Sequence, residues 1–102
     1  MKQLVIAEPP AHDIERIVDY ISLNNPVAAE NVYREIVRTA EKLPEFPALG
    51  RPGRHPKKRE ISIADLPYLI VYEVSPEAVT ILAVFHTSHN LAQALYDRIQ
   101  NN

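Results

Sequence analysis

The sequence predicts an α+β fold in which a helical hairpin packs on one face of a largely antiparallel sheet. Three observations support this prediction. The first 23 residues change from a β-branched strand pattern to a helical period. Residues 26–43 resume the helical period after a break at Asn24-Asn25. Residues 59–86 carry the alternating, β-branched and aromatic pattern of strands.

The first strand is predicted over residues 2–7, which are largely apolar, and Pro9-Pro10 is expected to close it. A helix is predicted over about residues 11–23. The residues of its apolar face, spaced at i, i+3, i+4 and i+7, are Ile14, Ile17, Val18 and Ile21. A strand and an amphipathic helix therefore open the chain.

The second helix is predicted to begin at Pro26 and to end near Leu43. Asn25 is a suitable N-cap, and proline is tolerated at the first helical position because its missing N–H has no intrahelical partner there. Pro44 and Pro47 end the helix. Two helices joined by so short a break form an antiparallel hairpin, and each has an apolar face to bury.

The loop over residues 44–58 holds four of the nine prolines and both glycines, so its bends are fixed. Three strands are predicted after it, at residues 59–64, 68–74 and 79–86. The last two strands are joined by a short hairpin turn. The first strand is too short to stand alone, so we expect it to pair at a sheet edge or beside a later strand.

The element order is therefore β-α-α-β-β-β, an N-terminal strand, a helical hairpin and an antiparallel three-stranded sheet. Residues 90–102 form a possible C-terminal helix or tail, with Asn90 as its N-cap. At 102 residues, the chain is expected to form a single domain over 1–102.

The composition excludes several classes of protein. It is 46% hydrophobic and 24% charged, which argues against disorder for the chain as a whole. No stretch approaches the roughly 18–20 apolar residues of a membrane span, and the N-terminus is unlike a signal peptide. The absence of cysteine excludes disulfides and thiolate metal sites. We expect a cytoplasmic protein with no membrane contact.

The charge is unevenly distributed. The net charge is −2, yet residues 51–59 carry +5 and the rest of the chain carries −7. Such asymmetry indicates an anionic partner, either phosphate or acidic protein. The five cations of this basic segment are Arg51, Arg54, Lys57, Lys58 and Arg59.

Histidine and tyrosine residues extend the candidate site. His86, at the end of the last strand, can act as an acid or a base because imidazole changes protonation near neutral pH, or it can be a structural residue that bonds backbone. Tyr68 and Tyr72 share one face of their strand, where core packing is favoured over a stacking platform for bases. His86 and His89 lack the further ligands of a metal site, and nothing predicts a cofactor.

Several segments, in this order and spacing, resemble the RelE/ParE superfamily of toxins from type II toxin–antitoxin systems. They span roughly residues 3–89 and are Asp13-Ile14 through Asp19-Tyr20-Ile21, Asn25-Pro26-Val27-Ala28-Ala29, Leu43-Pro44, Leu49-Gly50-Arg51-Pro52-Gly53, Arg59-Glu60, Pro67-Tyr68-Leu69-Ile70-Val71-Tyr72, and Val79 through His86. The start of the second helix and the Leu-Gly-Arg-Pro-Gly loop look more like the ParE branch.

The resemblance implies a growth-inhibiting toxin of a plasmid-stabilisation system, silenced by a cognate antitoxin. The antitoxin tail is expected to lie along the apolar groove of the helical hairpin and beside a sheet edge. A ParE-like member implies inhibition of DNA gyrase by protein binding, without catalysis. A RelE-like member implies a ribosome-dependent messenger RNA endoribonuclease. A related, non-toxic binding module is a third alternative, so whether the protein is an enzyme stays open.

The expected target-binding residues are Arg51, Arg54, Lys57, Lys58, Arg59 and His86. RNA cleavage needs a base, an acid and cations, and the candidates for a nuclease are His86, Lys57, Arg59, Arg51 and Tyr72. Nuclease members often carry an arginine early in the strand that here begins Tyr68-Leu69, and its absence favours the ParE branch. On either interpretation, the basic segment and the end of the last strand are expected to form one surface.

Overall fold

The computed structural model describes residues 1–88 and 90–100. Its elements are β1 (Gln3–Ile6), α1 (Glu8–Ser22), α2 (Pro26–Lys42), β2 (Arg51–Pro52), β3 (Arg59–Ser62), β4 (Tyr68–Val74), β5 (Ala78–His86) and α3 (Leu91–Gln100). The predicted α+β class and the order of helices and strands are confirmed, and the possible C-terminal helix is present as α3. The additional strand β2 has only two residues, too few to show a period in the sequence.

The five strands form one sheet in the order β1-β5-β4-β3-β2. β1 runs parallel to β5, with Leu4 opposite Val79, so the first strand pairs with a later strand as expected. The other neighbouring pairs, β5–β4, β4–β3 and β3–β2, are antiparallel. The N-terminal strand therefore forms one edge of the sheet, and the short β2 forms the other edge.

Helix α1 begins earlier than the sequence predicts. Pro9 and Pro10 lie in its first turn and do not form a turn that closes β1. The first N–H groups of a helix have no intrahelical acceptor, so proline is tolerated there as well as after a strand. The start of α2 is as predicted: the Asn25 side chain accepts a hydrogen bond from the Ala28 N–H at 3.0 Å, and Pro26 is the first helical residue.

Apolar residues from the helical hairpin pack on one face of the sheet. This core contains Ile14, Val32, Ile36, Ala40, Leu43, Ile63, Tyr68, Ile70, Tyr72, Val79, Ile81 and Val84. A smaller cluster on the opposite face contains Leu69, Val71, Ala83, Phe85 and Leu95. Because the hairpin packs on one face of β4 and α3 packs on the other, residues 68–72 of β4 are apolar or aromatic and buried.

Along the second half of β5, side chains bond the backbone groups that β1 does not reach. β1 pairs with β5 only as far as Ile81. Beyond that point the Val84 N–H donates to Asp13 Oδ2 at 3.0 Å, and the Leu82 carbonyl accepts from Arg98 Nη1 at 2.8 Å. Asp13 from α1 and Arg98 from α3 thus bind the backbone groups of β5 that point away from β4, beyond the point where β1 ends.

Asp13 and Arg98 also bind each other. Arg98 donates to both carboxylate oxygens, at 2.9 and 2.7 Å, and the Asp13 side chain is only 2% exposed. The Arg98 guanidinium lies 5.4 Å from the centre of the Phe85 ring, and Arg16 donates to the same carboxylate at 2.8 Å. This ion pair therefore connects α1, β5 and α3.

Replacement of Asp13 by alanine should lower the free energy of unfolding by about 3–5 kcal/mol, because it leaves the largely buried Arg98 charge unpaired. Urea denaturation measures the loss. The matched control is Glu30→Ala, which removes a surface ion pair with Arg34 and should cost about 0–1 kcal/mol. A double-mutant cycle with Arg98→Met that gives strictly additive losses would contradict the pairing.

Tyr72 holds the loop that follows α2. Its side chain is fully buried, and its hydroxyl donates to the Pro47 carbonyl at 2.7 Å and accepts from the Gly50 N–H at 2.9 Å. A Cβ atom added at Gly50 would lie 2.6 Å from that hydroxyl and 2.7 Å from the Glu60 carbonyl, so the close approach requires glycine. The predicted core packing of Tyr68 and Tyr72 is confirmed.

Tyr72→Phe should lower the free energy of unfolding by about 1–3 kcal/mol, because the Gly50 N–H and the Pro47 carbonyl lose their buried partner. Urea denaturation gives the stability, and hydrogen exchange should show faster exchange at Gly50. Tyr96→Phe, at an exposed position of α3, is the control and should be neutral. Equal behaviour of the two variants would show that the hydroxyl does not hold the loop.

Candidate functional site

The basic segment lies at the β2 edge of the sheet. β2 and β3 flank its loop, and Pro52 stands opposite Arg59. The Gly53 N–H donates to the Lys58 carbonyl at 2.7 Å and closes the loop. Lys57 has a φ of 65°, in the left-handed region that is unfavourable for a residue with a side chain. The loop is therefore tightly closed, with local strain at an exposed cation.

A buried carboxylate binds Arg54. Glu60 is only 2% exposed, and its Oε2 accepts from both the backbone N–H and Nε of Arg54 at 3.0 Å. Its Oε1 accepts from Arg54 Nη2 at 3.2 Å and lies 3.6 Å from Arg51 Nη2. Arg54 therefore closes the loop, and its charge is largely neutralised.

Two more cations of the segment have partners. Lys58 Nζ donates to the Glu73 carboxylate on β4. Arg59 donates through Nε to the Gly50 carbonyl at 3.0 Å and through Nη2 to the Ala48 carbonyl at 3.4 Å. Five cations with two carboxylates leave a formal charge of +3. The capacity to bind an anion therefore rests mainly with Arg51, Lys57 and Arg59.

His86 lies toward the other end of the sheet. Arg59 is opposite Tyr72, which is opposite Ile81, whereas His86 is opposite Tyr68. Ile81 and His86 are five positions apart, which is roughly 16 Å along the strand at about 3.3 Å per residue. The expectation of one surface containing the basic segment and His86 was wrong, because the register of β4 separates them.

The distance between His86 and the basic segment places the candidate catalytic residues of a nuclease in separate parts of the molecule. Arg51, Lys57 and Arg59 lie on β2, on β3 or in the loop between them, while His86 on β5 is two strands from β3 and three from β2, toward the other end of the sheet. Tyr72 is buried and its hydroxyl is used by the loop backbone, so it presents no ring face to a base.

His86 borders a cleft of about 620 Å³ between α1 and the end of β5, which Arg16 and Tyr20 also line. The Tyr68 ring packs edge-on against the imidazole, with 5.3 Å between ring centres. The Ser88 N–H donates to His86 Nδ1 at 3.0 Å, so the neutral ring carries its proton on Nε2. Burial raises the pKa of the Tyr68 phenol, and the nearby Tyr20 raises it further. Tyr68 therefore stays protonated and can donate a hydrogen bond.

An apolar groove runs between α1 and α2. It has a volume of about 360 Å³ and is lined mainly by Ile6, Ala11, Ile14, Val18, Tyr33 and Val37. Ile6 and Tyr33 are exposed although both are large and apolar. Contiguous exposed apolar surface indicates a binding site for another protein.

The described part of the chain, residues 1–88 and 90–100, contains neither a cluster of metal ligands nor a membrane-spanning helix. His89, the second histidine of the H-x-x-H pair, lies outside it. Within it, no group of three or more histidine, aspartate or glutamate side chains is placed to hold a metal ion. Its helices also lack the combination of length and apolar character that crossing a bilayer requires.

Neither of the carboxylates that bind the basic segment was predicted from the sequence. Glu60 directly follows Arg59, and its position in a short strand between cations and apolar residues is a recognisable pattern for a buried ion pair. Glu73 is distant in sequence from Lys58, and only the pairing of β3 with β4 brings them together. No local pattern could have predicted that second contact.

Three comparisons with known proteins agree. The family described as the ParE toxin of the type II toxin–antitoxin system parDE matches residues 4–91. A relative from Sinorhizobium fredii, named "Putative toxin Y4kP", is 40% identical over 82 residues, which cover 80% of this chain and 84% of the relative.

A solved structure described as "Chromosomal ParDE TA system from P. aeruginosa" superposes with a TM-score of 0.78. It covers 84% of this chain and 96% of the other at 22% identity, which supports the shared fold. The resemblance to the ParE branch of the RelE/ParE superfamily is thereby confirmed. This chain belongs to the ParE toxin family of type II toxin–antitoxin systems.

Proposed function

We propose that this protein is a cytoplasmic toxin that inhibits DNA gyrase by binding to it and that a cognate antitoxin silences it. The observation that carries the proposal is membership of the ParE family over residues 4–91. The RelE-like alternative, ribosome-dependent cleavage of messenger RNA, has less support. It has less support because the candidate catalytic residues do not lie together.

Cleavage of RNA requires a base, an acid and cations around one phosphate. In the described residues, His86 lies roughly 16 Å along the sheet from the level of Arg59, by the rise of a strand. Tyr72, a third candidate, is buried in the core. Inhibition by binding requires no such convergence, so the observed separation is compatible with it.

The basic segment is suited to an acidic protein surface. Arg51 and Lys57 are exposed, and Arg59 is half-buried beside them in sequence and structure. Complementary charge favours rapid and correctly oriented association between proteins. The loop is closed by hydrogen bonds before it meets a partner, which lowers the entropy lost on binding.

The groove between α1 and α2 is suited to the antitoxin. An amphipathic helix or extended tail binds such a groove through apolar side chains. Glu15 and Asp19 also line the groove, so a tail with cations beside its apolar residues is favoured. This arrangement leaves the basic segment to the target.

Induced expression should make cells filament with DNA damage and intact messenger RNA, and the purified protein should inhibit supercoiling by gyrase.

The variant Arg51→Glu/Lys57→Glu should need about tenfold more protein for half-inhibition, equivalent to about 1.4 kcal/mol of binding free energy. It should still fold, with a melting temperature a few degrees lower, because Arg51→Glu exchanges the ion pair with Glu60, at 3.6 Å, for a like-charge contact. Arg59 is unsuitable for this test because it bonds the loop backbone.

The matched control is Arg34→Glu/Arg38→Glu, two exposed charge reversals on α2. It should inhibit gyrase as the unmodified protein does. Rapid cleavage of translated messenger RNA with unaffected gyrase would select the nuclease instead. Harmless expression would favour a non-toxic binding module.

Replacement of Tyr33 in the groove by alanine should weaken antitoxin binding roughly thirtyfold, equivalent to about 2 kcal/mol, because the apolar contact of its ring is lost. Isothermal titration with the cognate antitoxin measures the change, and gyrase inhibition should persist. The control is Tyr96→Ala, at an exposed position of α3. Unchanged affinity of the Tyr33 variant would place the antitoxin elsewhere.

A further inference from the structure

The turn after α2 carries an exposed apolar pair. Phe46 and Leu49 are 55% and 51% exposed, and the turn between them is closed by a hydrogen bond from the Leu49 N–H to the Phe46 carbonyl at 3.0 Å. Isolated exposed apolar side chains are common on monomers. An aromatic and an aliphatic side chain together on one turn form a candidate contact surface.

Side chains from β3 and β4 hold the backbone of this turn. The Tyr72 hydroxyl binds the Pro47 carbonyl and the Gly50 N–H, and the Arg59 guanidinium donates to the carbonyls of Ala48 and Gly50. The apolar pair is therefore presented on an ordered backbone. A partner that binds it need not supply the free energy for ordering the turn.

Cations border the apolar pair. Arg51 follows Leu49 by two residues, and 65% of its side chain is exposed. Arg59, the last residue of the basic segment, lies against the turn, since it donates hydrogen bonds to the turn's own carbonyls. Glu45, the acidic residue that precedes Phe46, lines a separate depression together with Lys2. The surface thus has an apolar centre and a cationic rim.

We propose that Phe46 and Leu49 are the apolar anchors by which this protein docks on gyrase, with Arg51 and Arg59 as the cationic rim. The inference rests on the proposed function and names the surface that performs it. The proposal requires a complementary site on gyrase, an apolar pocket bordered by carboxylates. Aromatic residues and arginine are the side chains most enriched at the centre of protein interfaces.

A protein partner fits this surface better than a nucleic acid does. Leu49 has no ring on which a base can stack, and stacking on aromatic rings is the main sequence-tolerant contact of single strands. Arg54 and Lys58 are already bound to Glu60 and Glu73, which reduces the charge available to successive phosphates. An apolar pair with a short cationic rim matches an acidic protein surface.

The test is Phe46→Ala/Leu49→Ala, assayed for inhibition of gyrase supercoiling and for gyrase binding by surface plasmon resonance. Both measures should weaken roughly tenfold or more, and each single variant should contribute. The control is Leu23→Ala/Val27→Ala, which removes an exposed apolar pair, 80% and 68% exposed, from the end of α1 and the first turn of α2. The control should stay within about twofold of the unmodified protein.

Both double variants should melt within about 3 °C of the unmodified protein, because all four side chains are more than half exposed. If the unmodified protein inhibits gyrase and Phe46→Ala/Leu49→Ala inhibits it equally, the docking surface is overturned and the proposed function stands. If the unmodified protein does not inhibit gyrase, the proposed function fails and the inference fails with it.

A labelled single-stranded oligoribonucleotide tests the alternative partner by fluorescence anisotropy. We expect no binding that depends on the apolar pair. Binding that Phe46→Ala abolishes and Leu49→Ala leaves unchanged would identify a base-stacking surface and overturn the protein-docking inference.

Discussion

The buried hydroxyl of Tyr72 connects the core to the surface on which the proposed function depends. Its ring packs in the core under the helical hairpin, while its oxygen binds the backbone of the turn after α2. Gly50 permits this approach, and Arg59 then bonds the same turn from the basic segment. The position of the apolar pair therefore follows from one tyrosine in the core, and Arg59 connects that turn to the cationic loop.

The basic segment shows how local charge differs from charge that is available to a partner. Arg54 and Lys58 bind carboxylates of the sheet, and these contacts shape the loop. Arg51 and Arg59 lie next to the turn that carries Phe46 and Leu49, away from His86. A surface of this kind is suited to recognition of a protein, whereas a nuclease needs its cations gathered around one phosphate together with an acid and a base.

The ion pair of Asp13 and Arg98 connects the elements that pack on opposite faces of the sheet. Asp13 and Arg98 complete the edge of β5 beyond the end of β1 and connect α3 to the hairpin. Because the pair is largely buried, its geometry is determined by packing as much as by charge. The same carboxylate borders the cleft beside His86, so α3, the cleft and the hairpin form one connected structure.

The sequence by itself determined the helices, the three main strands and the cap of α2, because periodicity, proline and asparagine act over a few residues. It also located the cations of the candidate site. Pro9-Pro10 misled the prediction of α1, since proline fits both the end of a strand and the first turn of a helix. Only the tertiary structure decided that His86 lies apart from the basic segment, that Glu60 and Glu73 bind two of its cations, and which apolar faces stay uncovered. Strand register and the contacts between elements set these outcomes, and both depend on residues far apart in the chain.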